Sequence, residues 1–150
     1  MIRVQTEDFD AAAELKAIAR ARNDVGGIVS FIGVVRAGQG ADRVSAMTLE
    51  HDPGMTEREL ERIEAEARQR WPLEDCLVIH RHGRLEPGDQ IVLVITASAH
   101  RQAAFEACQF LVDWLKTRAP FWKRESKASG ESWVEARMSD DAAAERWAKG

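Results

Sequence analysis

Two apolar runs dominate the pattern of the chain. GGIVSFIGVVR (26–36) is β-branched and apolar almost throughout, and QIVLVITAS (90–98) has the same character. Runs of this length, dense in Val and Ile, predict buried strands. Around them the pattern changes. IRVQ (2–5) is a short strand candidate, and AAAELKAIARA (11–21) is a run of strong helix formers that Asp10 can cap. AGQGADR (37–43) is a glycine-containing polar loop. The alternation in VSAMTLEHD (44–52) then predicts a second strand, antiparallel to the first. In PGMTERELERIEAEARQRW, Thr56 with Glu59 three residues later has the form of a capping box, and Leu60, Ile63 and Ala67 form the apolar stripe of a helix.

CLVIHRHGRL (76–85) and QIVLVITAS read as two strands joined by the turn sequence EPGD. A helix over Ala99–Lys116 follows, with Ser98 as its cap and Phe105, Cys108, Leu111, Val112 and Leu115 on its buried face. Pro120 biases Ala119 toward extended geometry and stops that helix. FWKRES and SWVEAR flank KASG, the pattern of a hairpin, and Ser139 with Asp140 and Asp141 begins a last short helix. Hairpins interleaved with helices predict a layered α+β domain over residues 1–150, not a doubly wound parallel sheet.

Composition narrows the class. Apolar residues make up 45% and charged residues 31%, the balance of a soluble globular domain. Lys and Arg number 21 against 25 Asp and Glu, a net charge of −4. A nucleic-acid binder carries a basic excess, so that class is disfavoured. No apolar run approaches the ~20 residues that span a bilayer. MIRVQTEDFD lacks the charged-then-apolar pattern of a signal peptide. Cys76 and Cys108 form no CxxC pair and imply no disulfide framework. The expected location is the cytoplasm.

Against this acidic background, KTRAPFWKRE (116–125) gathers two lysines, two arginines, a proline and two aromatics where the long helix ends. Pro120 forces a turn there. On the strand that follows, Phe121, Lys123 and Glu125 share one face, and Trp122 and Arg124 the other. The turn can bring the ammonium groups of Lys116 and Lys123 to one pocket with aromatic walls, where a lysine beside another cation loses affinity for its proton. A solvated basic turn over core aromatics accounts for the same spacing. His100 and Arg101 open the long helix, where backbone N–H groups favour an anion; both side chains can equally point into solvent. Arg36 closes a strand, a place for a functional side chain or a surface charge. His80 and His82 have ligand-like spacing, and with His51 can hold a metal, but no HExxH or Cys/His finger spacing supports it. Cys108 sits among apolar residues and Cys76 follows acids, so neither has the setting of a nucleophile. No GxSxG, Walker or dinucleotide motif is present. Trp71, Trp133 and Trp147 read as core or interface anchors.

FIGVVR, LEHDPGM, IHRHGRLEPGD, SAHR and FEACQFLVDWLKTRAPFWKRE resemble the large, catalytic subunit of molybdopterin synthase, a likeness that runs from Gly26 to Trp147. The resemblance implies an α/β hammerhead core with an additional antiparallel β subdomain. It implies a sulfurtransferase that converts cyclic pyranopterin monophosphate (precursor Z) to molybdopterin by two sulfur transfers. The donor is the C-terminal Gly-Gly thiocarboxylate of a small ubiquitin-like subunit, and the assembly is a homodimer within a heterotetramer. Carried over by motif, Lys116 and Lys123 are the catalytic pair. Val34, Val35, Arg36, His100, Arg101, Arg124 and Glu125 join them in binding substrate, with the His-Arg pair supplied across the dimer. No metal, cofactor, nucleic acid or membrane is implied. The alternative reading is a non-catalytic subunit that only docks an anion or a protein tail.

Overall fold

The computed structural model describes residues 1–40, 43–127, 130–134 and 143–148. In chain order the elements are β1 (Ile2–Gln5), α1 (Ala11–Ala21), β2 (Gly27–Val34), β3 (Val44–His51), α2 (Met55–Arg70), β4 (Leu73–Arg81), β5 (Gly83–Leu85), β6 (Gln90–Ser98), α3 (Arg101–Thr117), β7 (Phe121–Lys127) and β8 (Gly130–Val134). They form two four-stranded sheets, in the orders β1-β4-β6-β2 and β5-β3-β7-β8. The first sheet is antiparallel except for the parallel pair β1·β4. The second is wholly antiparallel. The fold is α+β: a helix-flanked sheet joined to an antiparallel one.

β4 and β6 lack a polar face because helices cover both faces of the first sheet there, whereas the edge strand β2, expected to be buried, keeps Ser30, Ile32 and Val34 exposed on one face. Leu77, Ile79, Leu93, Ile95 and Ala97 pack against Ile18 of α1. Their neighbours Cys76, Val78, Val92 and Val94 face the other way, into the core with Leu60 and Ile63 of α2 and Leu111 and Trp114 of α3. That core continues into the second sheet through Met47, Leu49 and Leu85. Asp10 caps α1 as expected, accepting from the Ala13 N–H at 3.0 Å. No helix among the described residues is long and apolar enough to cross a membrane.

Five expectations need correction. The strand at 44–52 does not pair with the one at 26–36; β3 lies between β5 and β7 in the other sheet. The run 76–85 is two strands. Gly83, at φ 89°, lets the chain leave β4 after His82 and enter the second sheet as β5. The start of α2 is Gly54 rather than Thr56: the Glu57 carboxylate accepts from the Gly54 N–H at 2.6 Å. Thr56 is instead buried, donating to the Asp52 carbonyl at 2.9 Å. Ser98 does not cap α3; its hydroxyl donates to the Pro72 carbonyl at 2.7 Å, and His100 holds the cap position without a side-chain hydrogen bond. Phe105 is 61% exposed, while Ala104, Ala107 and Phe110 join Cys108 and Leu111 on the buried stripe. Trp71 and Trp147 pack at the core edge, but Trp133 is exposed. The helix expected from Ser139–Asp141 lies outside the described residues.

Candidate active site

A cavity of about 850 Å³ opens at the C-terminal end of α3, lined from both sheets. Three stretches supply its charge. Val34, Val35 and Arg36 come from the end of β2 and the residues after it. Lys116 stands in the last turn of α3, where the helix dipole favours a cation. Phe121, Lys123, Glu125 and Lys127 are alternate residues of β7, so the strand period alone puts all four on the cavity face. The turn at Pro120 thus brings Lys116 and Lys123 to the lining of one cavity, Lys116 as an exposed side chain and Lys123 as a half-buried one. Among the described lining residues there are four cations and one carboxylate, in a chain of net charge −4.

Arg124 faces away from the cavity. It bridges Glu50 of β3 and Glu131 of β8, each at 3.4 Å, and its guanidinium lies 5.7 Å from the Trp133 ring centroid. It clamps three strands together from the outer face. His100 and Arg101 are exposed at the opposite end of α3 and do not line the cavity of their own chain. At 1.5 Å rise per residue, the helix separates them from Lys116 by roughly 22 Å.

Two further lining residues, Lys127 and His80, are not legible as site residues in the sequence. Lys127 extends the alternation of Lys123 by two steps, and was hidden because the strand continues past Ser126. From the sequence, His80 reads only as a metal ligand with His82 and His51. It shares the inward face of β4 with Cys76 and Val78, is 5% exposed, and reaches the cavity where α3 ends. Its ring stacks on Phe121, centroids 3.8 Å apart and planes 13° from parallel. Burial pushes its pKa down to about 3, and Lys123 and Lys116 add to that effect against the hydrogen bond to Arg81. His82 lies beyond β4, edge-on to His51 at 4.4 Å, and burial followed by the neighbouring His51 depresses its pKa. No group of three or more candidate metal ligands occurs among the described residues.

Both cysteines are buried. Desolvation pushes Cys76 up to about 12, helped by Glu64 and Asp75, and Cys108 up to about 11. Neither supplies a thiolate near neutral pH. The cavity can therefore bind anions and stabilise negative charge, but it holds no sulfur nucleophile of its own.

Comparisons with known proteins give the family. A family model described as MoaE protein matches residues 4–118. The molybdopterin synthase catalytic subunit of Mesorhizobium japonicum is 57% identical over 148 residues, covering 97% of this chain and 92% of that protein. Its counterpart from Pseudomonas aeruginosa is 56% identical over 146 residues, covering 97% of each. Among solved structures, the MoaE protein of Burkholderia ambifaria superposes with a TM-score of 0.83 at 52% identity, covering 99% of this chain and 97% of that one. With the family model matching most of the chain and such relatives spanning nearly all of it, the chain belongs to the MoaE family, the family of molybdopterin synthase catalytic subunits.

Proposed function

We propose that the chain is the sulfurtransferase subunit that converts cyclic pyranopterin monophosphate to molybdopterin, taking both sulfurs from the C-terminal thiocarboxylate of a small ubiquitin-like subunit. The observation that carries this is the convergence of Arg36, Lys116, Lys123 and Lys127 on one cavity of an acidic protein. Both reactants are anions, and a local cationic hollow concentrates them without a basic surface. The donor brings its own sulfur, which suits a chain whose two thiols are buried and held protonated.

In each transfer the thiocarboxylate sulfur bonds to a side-chain carbon of the pterin as an oxygen leaves that carbon. Water then cleaves the bond between the sulfur and the tail's carbonyl carbon, and the tail departs as a carboxylate. Lys116 contacts the tail carbonyl or the carbon under attack, as an acid or a transient covalent partner. Lys123 stabilises the negative charge that develops and orients the tail. Arg36 binds phosphate, and Val34, Val35 and Glu125 shape the site. His100 and Arg101 complete the phosphate site from a second copy of the chain, since their own helix holds them far from Lys116. This makes a homodimer, with a small subunit on each copy, the working assembly. Arg124 serves by fixing β7, and hence Lys123, in place.

The test is reconstitution. Wild-type protein, thiocarboxylated small subunit and precursor Z should yield the dithiolene product. Binding of both partners without any product would leave the docking-only reading in its place.

A further inference from the structure

The cations of the cavity are hydrogen-bond donors and cannot accept. A heterocycle that carries N–H groups also needs acceptors, and His80 is built as one. Its Nδ1 lies 2.8 Å from the Arg81 carbonyl oxygen. A carbonyl only accepts, so Nδ1 carries the proton and Nε2 has the lone pair. Among the described residues Nε2 has no hydrogen-bond partner, and no fully buried side-chain nitrogen there lacks one. Nε2 therefore opens onto the cavity that His80 lines. The stack on Phe121 fixes the ring plane. Burial and the two lysines keep the imidazole neutral, so the acceptor persists at physiological pH. Val34, Val35, Ile91, Val92 and Leu115 give the same cavity apolar walls suited to a flat ring.

We infer that His80 is a specificity-determining residue of this site, whose Nε2 accepts a hydrogen bond from an N–H of the heterocyclic substrate. The inference rests on the pterin reading above and adds to it the group that recognises the ring rather than the phosphate. Asn at this position keeps a donor for the Arg81 carbonyl but has nothing at the Nε2 position. Gln places an amide oxygen there.

The experiment measures the Kd of precursor Z by calorimetry, and kcat and KM in the reconstituted complex, for wild type, His80→Asn and His80→Gln. Leaving a binding partner unpaired in a desolvated site predicts about a tenfold or greater rise in Kd and KM for His80→Asn, with kcat within about threefold. His80→Gln should recover most of the loss. In 15N-labelled wild type, the Nε2 resonance of His80 should move on addition of precursor Z while Nδ1 stays. Equal affinity in wild type and His80→Asn, an equal loss in His80→Gln, or an Nε2 resonance that stays put at saturation would overturn the inference. If His80→Asn does not fold, the wild-type resonance decides. Wild type that binds precursor Z but forms no product would defeat the sulfur-transfer reading and leave this comparison intact. Wild type that does not bind it would defeat both.

Discussion

Protonating His80 should unfold the protein from within. Its folded-state pKa is about 3 against an ordinary 6.5, so the unfolded chain takes up the proton first as pH falls. The sign follows from linkage: between these values the unfolded state binds more protons, and stability falls as the solution is acidified. The contribution is fully present above 6.5 and is lost progressively down to pH 3. At 1.36 kcal/mol per pKa unit, the full difference is about 5 kcal/mol, comparable with the whole stability of a small domain. The residue is 5% exposed, so solvent screening takes little from that figure. By pH 5 about 2 kcal/mol should already be gone. Urea unfolding of wild type and His80→Gln at pH 7.5, 6 and 5 isolates the effect, because carboxylates and His82 titrate in both proteins and cancel in the difference. Wild type should lose about 2 kcal/mol more than the variant over that range. Parallel pH dependences would refute the reasoning, since they would mean that His80 is not held neutral by burial.

Other consequences can be checked independently. Native protein at pH 8 should resist thiol alkylation at Cys76 and Cys108 and react at both once unfolded, and Cys108→Ala should retain turnover in the reconstituted assay. Gly83→Ala should cost about 1–2 kcal/mol in urea unfolding from the left-handed backbone alone, because a Cβ there would meet only Thr6 Cγ2 at an ordinary 3.7 Å. Leu111→Ala, at a fully buried position of α3, should cost about 2–5 kcal/mol in the same experiment.

The sequence exposed local order better than sheet membership. The buried strands, the helices and the 121–134 hairpin follow from period and propensity, and the α+β class follows from their order. Pairing is a long-range matter. Nothing local in VSAMTLEHD says that it joins β7 rather than β2, and the positive φ of Gly83 splits a stretch that reads as one strand into strands of two sheets. Caps misled for a related reason: Thr56 and Ser98 are good cap residues, but each is buried and donates instead to a backbone carbonyl, that of Asp52 and that of Pro72. At the site, the alternation Phe121, Lys123, Glu125 was visible from the strand period. His80 was not recognised, because its role depends on where α3 ends above the sheet, which no spacing within β4 records.

The most direct test of the central claim compares Lys116→Ala and Lys123→Ala with wild type in the reconstituted assay, scoring dithiolene product and precursor Z affinity together. A cation about 6 Å from developing negative charge, at an effective dielectric of about 20, stabilises it by about 3 kcal/mol. Each variant should therefore lose about a hundredfold or more in turnover while the protein stays folded and, for Lys116→Ala, still binds precursor Z. Near-normal turnover in both variants would contradict the account, because the cationic cavity would then not be where the sulfur is transferred.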